Sequence, residues 1–159
     1  MSVELVLLLG FPLLGAAGLG VYGARRWAPD ANVAFSAATF VAACVLTARV
    51  ISEGTLVVLR EQFLIDPFNV FLVTLTAFVG LTTAIFSRPY MRVEREHGRV
   101  SPAQLRLYHS MYQLFMTTML VALTTNNLGL MWVAMEAATL STVLLVTLYR
   151  TPASLEAGW

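Results

Sequence analysis

Long uncharged apolar stretches most constrain the fold of this chain. They cover residues 5–22, 31–48 and 67–87, and the run 107–149 carries a single formal charge, Glu136. The first three are close to the ~20 residues that cross a hydrocarbon core, and the fourth is long enough for two crossings. Only 12% of the 159 residues are charged, about half the usual share in a soluble domain. The sequence therefore predicts an integral membrane protein.

Turn and capping residues divide these stretches into separate helices, so the predicted fold is all-α. The long run breaks at 124–129, where Asn and Gly suit a turn, and Ser101-Pro102 and Asp66-Pro67 each place a cap before a proline. A short surface β-hairpin is predicted between helices two and three, at 54–65. We expect a single transmembrane domain, 1–159. It contains about five transmembrane helices, at about 4–23, 30–51, 66–87, 102–124 and 128–149, followed by the start of a sixth.

The arginines predict the orientation of these helices. Loop one carries Arg25 and Arg26, and residues 88–106 between helices three and four carry five more arginines. Cytoplasmic loops hold the positive excess, so the N-terminus is predicted outside and the C-terminus in the cytoplasm. The first apolar run has its basic residues behind it rather than in front, which favours a retained helix over a cleaved signal.

Glu136 is the main candidate for chemistry. It lies roughly 12 Å into the predicted fifth helix, where an ionisable side chain is costly and often marks an ion or proton path. We expect proton transfer here, with Thr139 one turn further along the same face to hold a water or orient the carboxyl. The alternative is a protonated glutamic acid that ties two helices together by a hydrogen bond.

Other residues are weaker candidates. His109, near the cytoplasmic end of helix four, could pass protons inward, or be an interfacial histidine with one nitrogen satisfied. Cys44 is interpreted as a small residue of the helix packing. The sequence contains no nucleophile–base pair, phosphate-binding glycine loop or Cys/His cluster, so we predict no catalytic residue, no cofactor and no metal site. A net charge of +1 without a basic block predicts no nucleic-acid partner.

Several motifs together resemble a known family. They are Asp66-Pro67-Phe68, Ser87-Arg88-Pro89-Tyr90-Met91, Asn127-Leu128-Gly129-Leu130-Met131-Trp132-Val133-Ala134-Met135-Glu136 and Ser154-Leu155-Glu156-Ala157-Gly158-Trp159. Their order over about 95 residues is similar to the N-terminal part of the antiporter-like, proton-translocating subunits of respiratory complex I (chains M and L of NADH-quinone oxidoreductase). The stretch from Leu107 to Phe115, with Thr139 to Thr142, most resembles hydrogenase-4 component F.

The resemblance implies a role for Glu136. It would be the family's fifth-helix glutamate, which pairs with a lysine on a later helix and modulates the proton affinity of that lysine. All ten basic residues here are Arg, so the lysine would come from a chain that supplies helices six onward, and this chain would be half of a split subunit or a truncated product. Arginine cannot replace it, because it does not release its proton.

The resemblance also implies partners and a location. They are the other membrane and peripheral subunits of a redox-driven hydrogenase or complex I-like NADH dehydrogenase, in the lipid bilayer of a bacterial or archaeal inner membrane. No active centre is expected in this chain. Two alternatives remain open, a structural or assembly subunit and a component of a multisubunit cation/proton antiporter.

Overall fold

The computed structural model describes residues 3–158. Helices dominate it, with one small antiparallel sheet in the predicted hairpin region. In chain order the elements are α1 (Val3–Tyr22), α2 (Ala28–Glu53), β1 (Leu56–Val58), β2 (Phe63–Ile65), α3 (Pro67–Glu96), α4 (Pro102–Thr124), α5 (Leu128–Val146), a 3-10 turn (Thr147–Tyr149) and α6 (Pro152–Gly158).

Four of the described helices are long and apolar enough to cross a membrane, namely α1, α2, α3 and α5 with the turn that follows it. This supports a multi-pass membrane protein and four of the five predicted spans. The helix α4 is outside this set, although its 23 residues are enough to span. It carries polar side chains that the chain itself buries, among them His109, Gln113 and Thr117, which lower its hydropathy.

The helices α1 to α4 form a closed ring, and α5 lies outside it. The helix α4 packs on α1, α1 on α2, α2 on α3, and α3 back on α4, whereas α5 packs mainly on α4. The largest apolar core lies inside the ring near β2 and includes Leu8, Leu46, Ile65, Val73 and Leu120. One face of α5 is therefore left without a neighbour from the described chain.

Side-chain caps begin α3, α4 and α5. The Asp66 carboxylate accepts hydrogen bonds from the N–H groups of Phe68 and Asn69 at the start of α3, and Ser101 forms a reciprocal capping box with Gln104 in α4. These two caps were expected from the sequence. At the start of α5, the side-chain oxygen Oδ1 of Asn127 accepts from Gly129 N at 2.9 Å and from Leu130 N at 3.1 Å.

The hairpin is tied to the turn between α4 and α5. Gln62 provides the two shortest hydrogen bonds: its backbone oxygen accepts from Asn126 N at 2.7 Å, and its side-chain oxygen accepts from Asn127 Nδ2, also at 2.7 Å. The backbone of Leu59, Arg60 and Glu61 has positive φ angles at the tip of the hairpin. The hairpin and the α4–α5 turn thus form one joined surface at the same end of the ring.

The predicted end of the third helix is wrong. The arginines after residue 87 were expected to lie in a loop, but α3 continues through Pro89 to Glu96. The extension is stabilised because Met91 packs with Val100, Leu105 and Leu148. Thirty residues give a helix of about 45 Å, so its last turns project beyond a ~30 Å hydrocarbon core.

Cys44 also differs from the prediction. It is exposed on the outer surface of α2 rather than packed between helices. Its neighbours Ala43 and Leu46 occupy the buried face of α2 instead, because residues one and two positions apart lie on different sides of a helix.

Candidate functional site

Glu136 lies on the uncovered face of α5. It is eight residues past Leu128, which places it about 12 Å along the helix. The helix buries only Ala134, Ala138 and Ser141 against the rest of the chain, whereas Glu136 is exposed. Within residues 3–158 its carboxyl group has neither a hydrogen bond nor an ion pair. Trp132, Met135, Thr139 and Leu140 are exposed beside Glu136, and these five residues are called here the outer face.

Thr139 shares the outer face with Glu136, at the predicted spacing of one turn. Its hydroxyl group donates to the backbone oxygen of Met135 at 3.0 Å. Because its one proton is used within the helix, the Thr139 oxygen can only accept a further hydrogen bond. It can therefore hold a water or a protonated group beside Glu136, but it cannot donate to the carboxylate.

His109 is inside the ring of helices. Its side chain is 2% exposed, and neither ring nitrogen has a hydrogen-bond partner among residues 3–158. This differs from the interfacial alternative, in which one nitrogen would be satisfied. A buried polar atom without a partner costs about 1–3 kcal/mol, so the site favours a polar group or water next to this imidazole.

The structure does not bring His109 and Glu136 together. His109 lies fifteen residues before the end of α4, or about 22 Å from the α4–α5 turn, whereas Glu136 is about 12 Å from that turn. The two therefore differ by about 10 Å in height, because α4 and α5 run in opposite directions from a short connection. The exposed carboxyl also faces away from α4. Direct proton exchange between them is excluded in this arrangement.

A buried polar cluster was missed at the sequence level. Gln113 is fully buried, and its Nε2 lies 2.9 Å from Asn32 Oδ1 and 3.1 Å from Ser36 Oγ. Its own Oε1 has no partner among the described residues. Gln113 follows His109 by one turn of α4, so the two form a continuous inner polar row that continues to Thr117. Polar residues spaced by three or four positions, at 32, 36 and 39 on α2 and at 109, 113 and 117 on α4, were the available signal.

Close packing of α1 on α4 creates this interior. Ser110 donates a hydrogen bond to the backbone oxygen of Ala16 at 2.8 Å. A Cβ at Gly23 would collide with the Leu19 carbonyl group and lie 3.0 Å from the Cα of Arg106. The residue after α1 must therefore lack a side chain for α4 to approach so closely.

The described part of the chain offers no metal centre of the usual kind. Within residues 3–158 no three His, Cys, Asp or Glu side chains are grouped so that they could hold an ion. The arrangement instead offers isolated ionisable groups, one on an outer surface and one in the interior.

Comparison with known proteins identifies a relative of this chain. No family model matches. Over all of its 159 residues, however, the chain is 44% identical to the hydrogenase-4 component F homolog of Methylacidiphilum infernorum (isolate V4). The predicted resemblance to hydrogenase-4 component F is confirmed. The chain spans 32% of the length of that relative, about a third, so the likeness concerns a part of a longer protein.

Proposed function

We propose that this chain is part of a proton-translocating membrane subunit of a hydrogenase-type redox complex. Glu136 is its charge-carrying residue, and α1 to α5 all cross the inner membrane with the arginine-rich end in the cytoplasm. The observation that carries the proposal is the position of Glu136, exposed near the middle of α5 on a face with no neighbour in the described chain. The 44% identity to a hydrogenase-4 component F homolog supports the assignment.

The energetics of the outer face favour a partner for Glu136. A charged side chain at the centre of a membrane helix costs about 2.5–3.5 kcal/mol on insertion scales, and such groups pair with one another or face water. The flanking Trp132 and Leu140 are 64% and 63% exposed, which suits the packing of another helix. That helix would cover the apolar residues and bring a polar or cationic group to the carboxyl.

A lysine is the cation that suits proton transfer at this position. Arginine stays protonated, whereas lysine can lose its proton when desolvated. Since this sequence has only arginines as basic residues beside its two histidines, the lysine would belong to a segment outside it. At ~4 Å the two charges interact by about 4 kcal/mol at an effective dielectric constant of 20. Moving the carboxylate therefore changes the proton affinity of the lysine by about a thousandfold.

The inner polar row is the second part of the proposal. His109 can accept or donate a proton through either unpartnered nitrogen, and Gln113 extends hydrogen-bonding capacity one turn further into the ring. Water beside these atoms would connect the arginine-rich end with the interior. The two proposed roles are thus separate. Protons are transferred along the inner polar row, whereas Glu136 couples through its charge, assisted by the accepting oxygen of Thr139.

Glu136→Gln in the assembled complex tests the proposal. Glutamine keeps the size and the hydrogen-bonding capacity but cannot carry the charge. We expect normal assembly and electron transfer, with proton uptake into vesicles reduced at least about tenfold per electron. Glu156→Gln, an exposed carboxyl on the short α6, is the matched control and should keep coupling. Unchanged coupling in Glu136→Gln would overturn the proposal and favour a structural role, in which the residue only ties helices together.

A further inference from the structure

A cavity of about 570 Å³ opens at the arginine-rich end of the ring. It lies between the α1–α2 loop, the last turns of α3 and the first half of α4. Arg25 and Arg26 line it from the loop, and Arg92 and Arg95 line it from α3. His109 lines it from α4. The cavity therefore has several cationic side chains and one buried imidazole.

The four arginines of the cavity are not neutralised by the described chain. None of them forms an ion pair within residues 3–158, where the paired arginines are Arg49, Arg88 and Arg99. Two carboxylates also line the cavity, Asp30 and Glu96, but Asp30 is already paired with Arg88. The lining thus keeps a positive excess, which favours an anion and disfavours a cation.

His109 gives a second, independent indication of a ligand. It is 2% exposed, it lines the cavity, and neither of its nitrogens has a partner among the described residues. A neutral imidazole offers one N–H donor and one acceptor nitrogen. Because buried polar groups in native proteins are normally satisfied, a polar group in the cavity is the simplest partner for that donor.

We propose that this cavity binds a phosphate group. The guanidinium groups of Arg25, Arg26, Arg92 and Arg95 match the geometry of phosphate oxygens through paired N–H donors, and His109 donates a hydrogen bond from the inner end. The first turn of α2, represented in the lining by Pro29, adds the positive end of a helix dipole. The phosphate belongs either to the headgroup of an anionic phospholipid or to a free phosphate ion.

The test uses the full chain in phosphatidylcholine nanodiscs with ¹⁵N-labelled histidine. His97→Gln assigns the His109 signals, because the chain has two histidines. One arm adds phosphatidylglycerol and the other adds inorganic phosphate. We expect a saturable shift of the His109 ring nitrogens in one arm. A shift with phosphatidylglycerol alone identifies the lipid headgroup, and a shift with inorganic phosphate alone identifies the free ion.

Paired variants separate a defined site from general charge attraction. Arg92→Gln/Arg95→Gln should weaken the saturable shift at least about tenfold in apparent affinity, and Arg106→Gln/Arg150→Gln less than about twofold. Arg106 and Arg150 have no ion pair within residues 3–158 and are not part of the cavity lining. Arg25→Gln/Arg26→Gln, outside the helices, repeats the test should the first pair fail to fold. No saturable shift with either ligand, or equal losses in the site and control pairs, would overturn the proposal.

Discussion

His109 on α4 and Glu136 on α5 are ionisable side chains in opposite surroundings. His109 is enclosed by helices of its own chain and begins an inner polar row with Gln113. Glu136 is exposed on a helix that packs mainly on α4. The buried polar groups are thus brought together by helices of this chain, whereas the outer face has no neighbour within residues 3–158.

The largest expected effect concerns membrane insertion of α5. Glu136→Leu should make insertion of residues 128–149 about 3 kcal/mol more favourable, because a central charged side chain is costly and leucine is favourable. Glycosylation mapping of this segment in microsomes measures the equilibrium. Thr139→Leu is the control on the same face and should change it by less than about 1 kcal/mol. If the Glu136→Leu segment and the unaltered segment inserted equally, Glu136 would carry no insertion cost, and its contrast with the enclosed His109 would not hold.

The next effect concerns the inner polar row. Gln113→Leu should lower the free energy of unfolding of the full chain by about 2 kcal/mol, because Asn32 and Ser36 lose their buried partner. Steric trapping in bicelles provides the measurement. The matched control is Thr142→Val on the exposed side of α5, for which we expect a change within about 0.5 kcal/mol. Similar losses in both variants would show that α5 is as enclosed as α4.

A smaller effect distinguishes the two helix starts. Asn127→Ala should cost about 1–2 kcal/mol of unfolding free energy, because it removes both the cap of α5 and the hydrogen bond to Gln62. Ser101→Ala removes only the cap of α4 and should cost about 1 kcal/mol. Chemical denaturation in mild detergent compares them. A larger loss for Ser101→Ala would contradict the anchoring role of the hairpin.

The smallest effect concerns single hydroxyl groups. Thr139→Val should change the unfolding free energy by less than about 0.5 kcal/mol, because Thr139 lies on the outer face. Ser110→Ala should cost about 1 kcal/mol, since its hydroxyl group donates to Ala16 across the α1–α4 contact. The same denaturation measurement applies. If Thr139→Val were the more damaging substitution, the outer face would be covered within the chain.

Helix starts were predictable because capping is local. Ser101-Pro102 and Asp66-Pro67 act within one turn, and both helices begin where these pairs placed them. The end of α3 was not predictable in this way, because its last turns depend on packing against Val100, Leu105 and Leu148, which all lie beyond the helix. The arginines after residue 87 favoured a loop, whereas Met91 and Glu94 are both buried on one side of the helical extension.

The position of Glu136 along α5 was predictable from the sequence, but the exposure of its side chain was not. Counting from Asn127 gives the position of Glu136 along α5. Apolar residues occur all around α5, however, so no periodic pattern marks the face that packs on α4. The burial of His109 was equally hidden, because it follows from the close approach of α1 and α4 at Gly23.

The bond between the hairpin and the α4–α5 turn has a mechanical consequence. Gln62 holds Asn126 and Asn127, so the start of α5 is fixed while the rest of the helix rests on α4. The helix would then tilt about its first residues, which the hairpin holds. A tilt of about 10° would move Glu136, about 12 Å from the start of the helix, by about 2 Å. That displacement is enough to make or break a hydrogen bond, so a shift of about 5 Å at the distal end of α5, about 27 Å from its start, would change the contacts of the Glu136 carboxyl group.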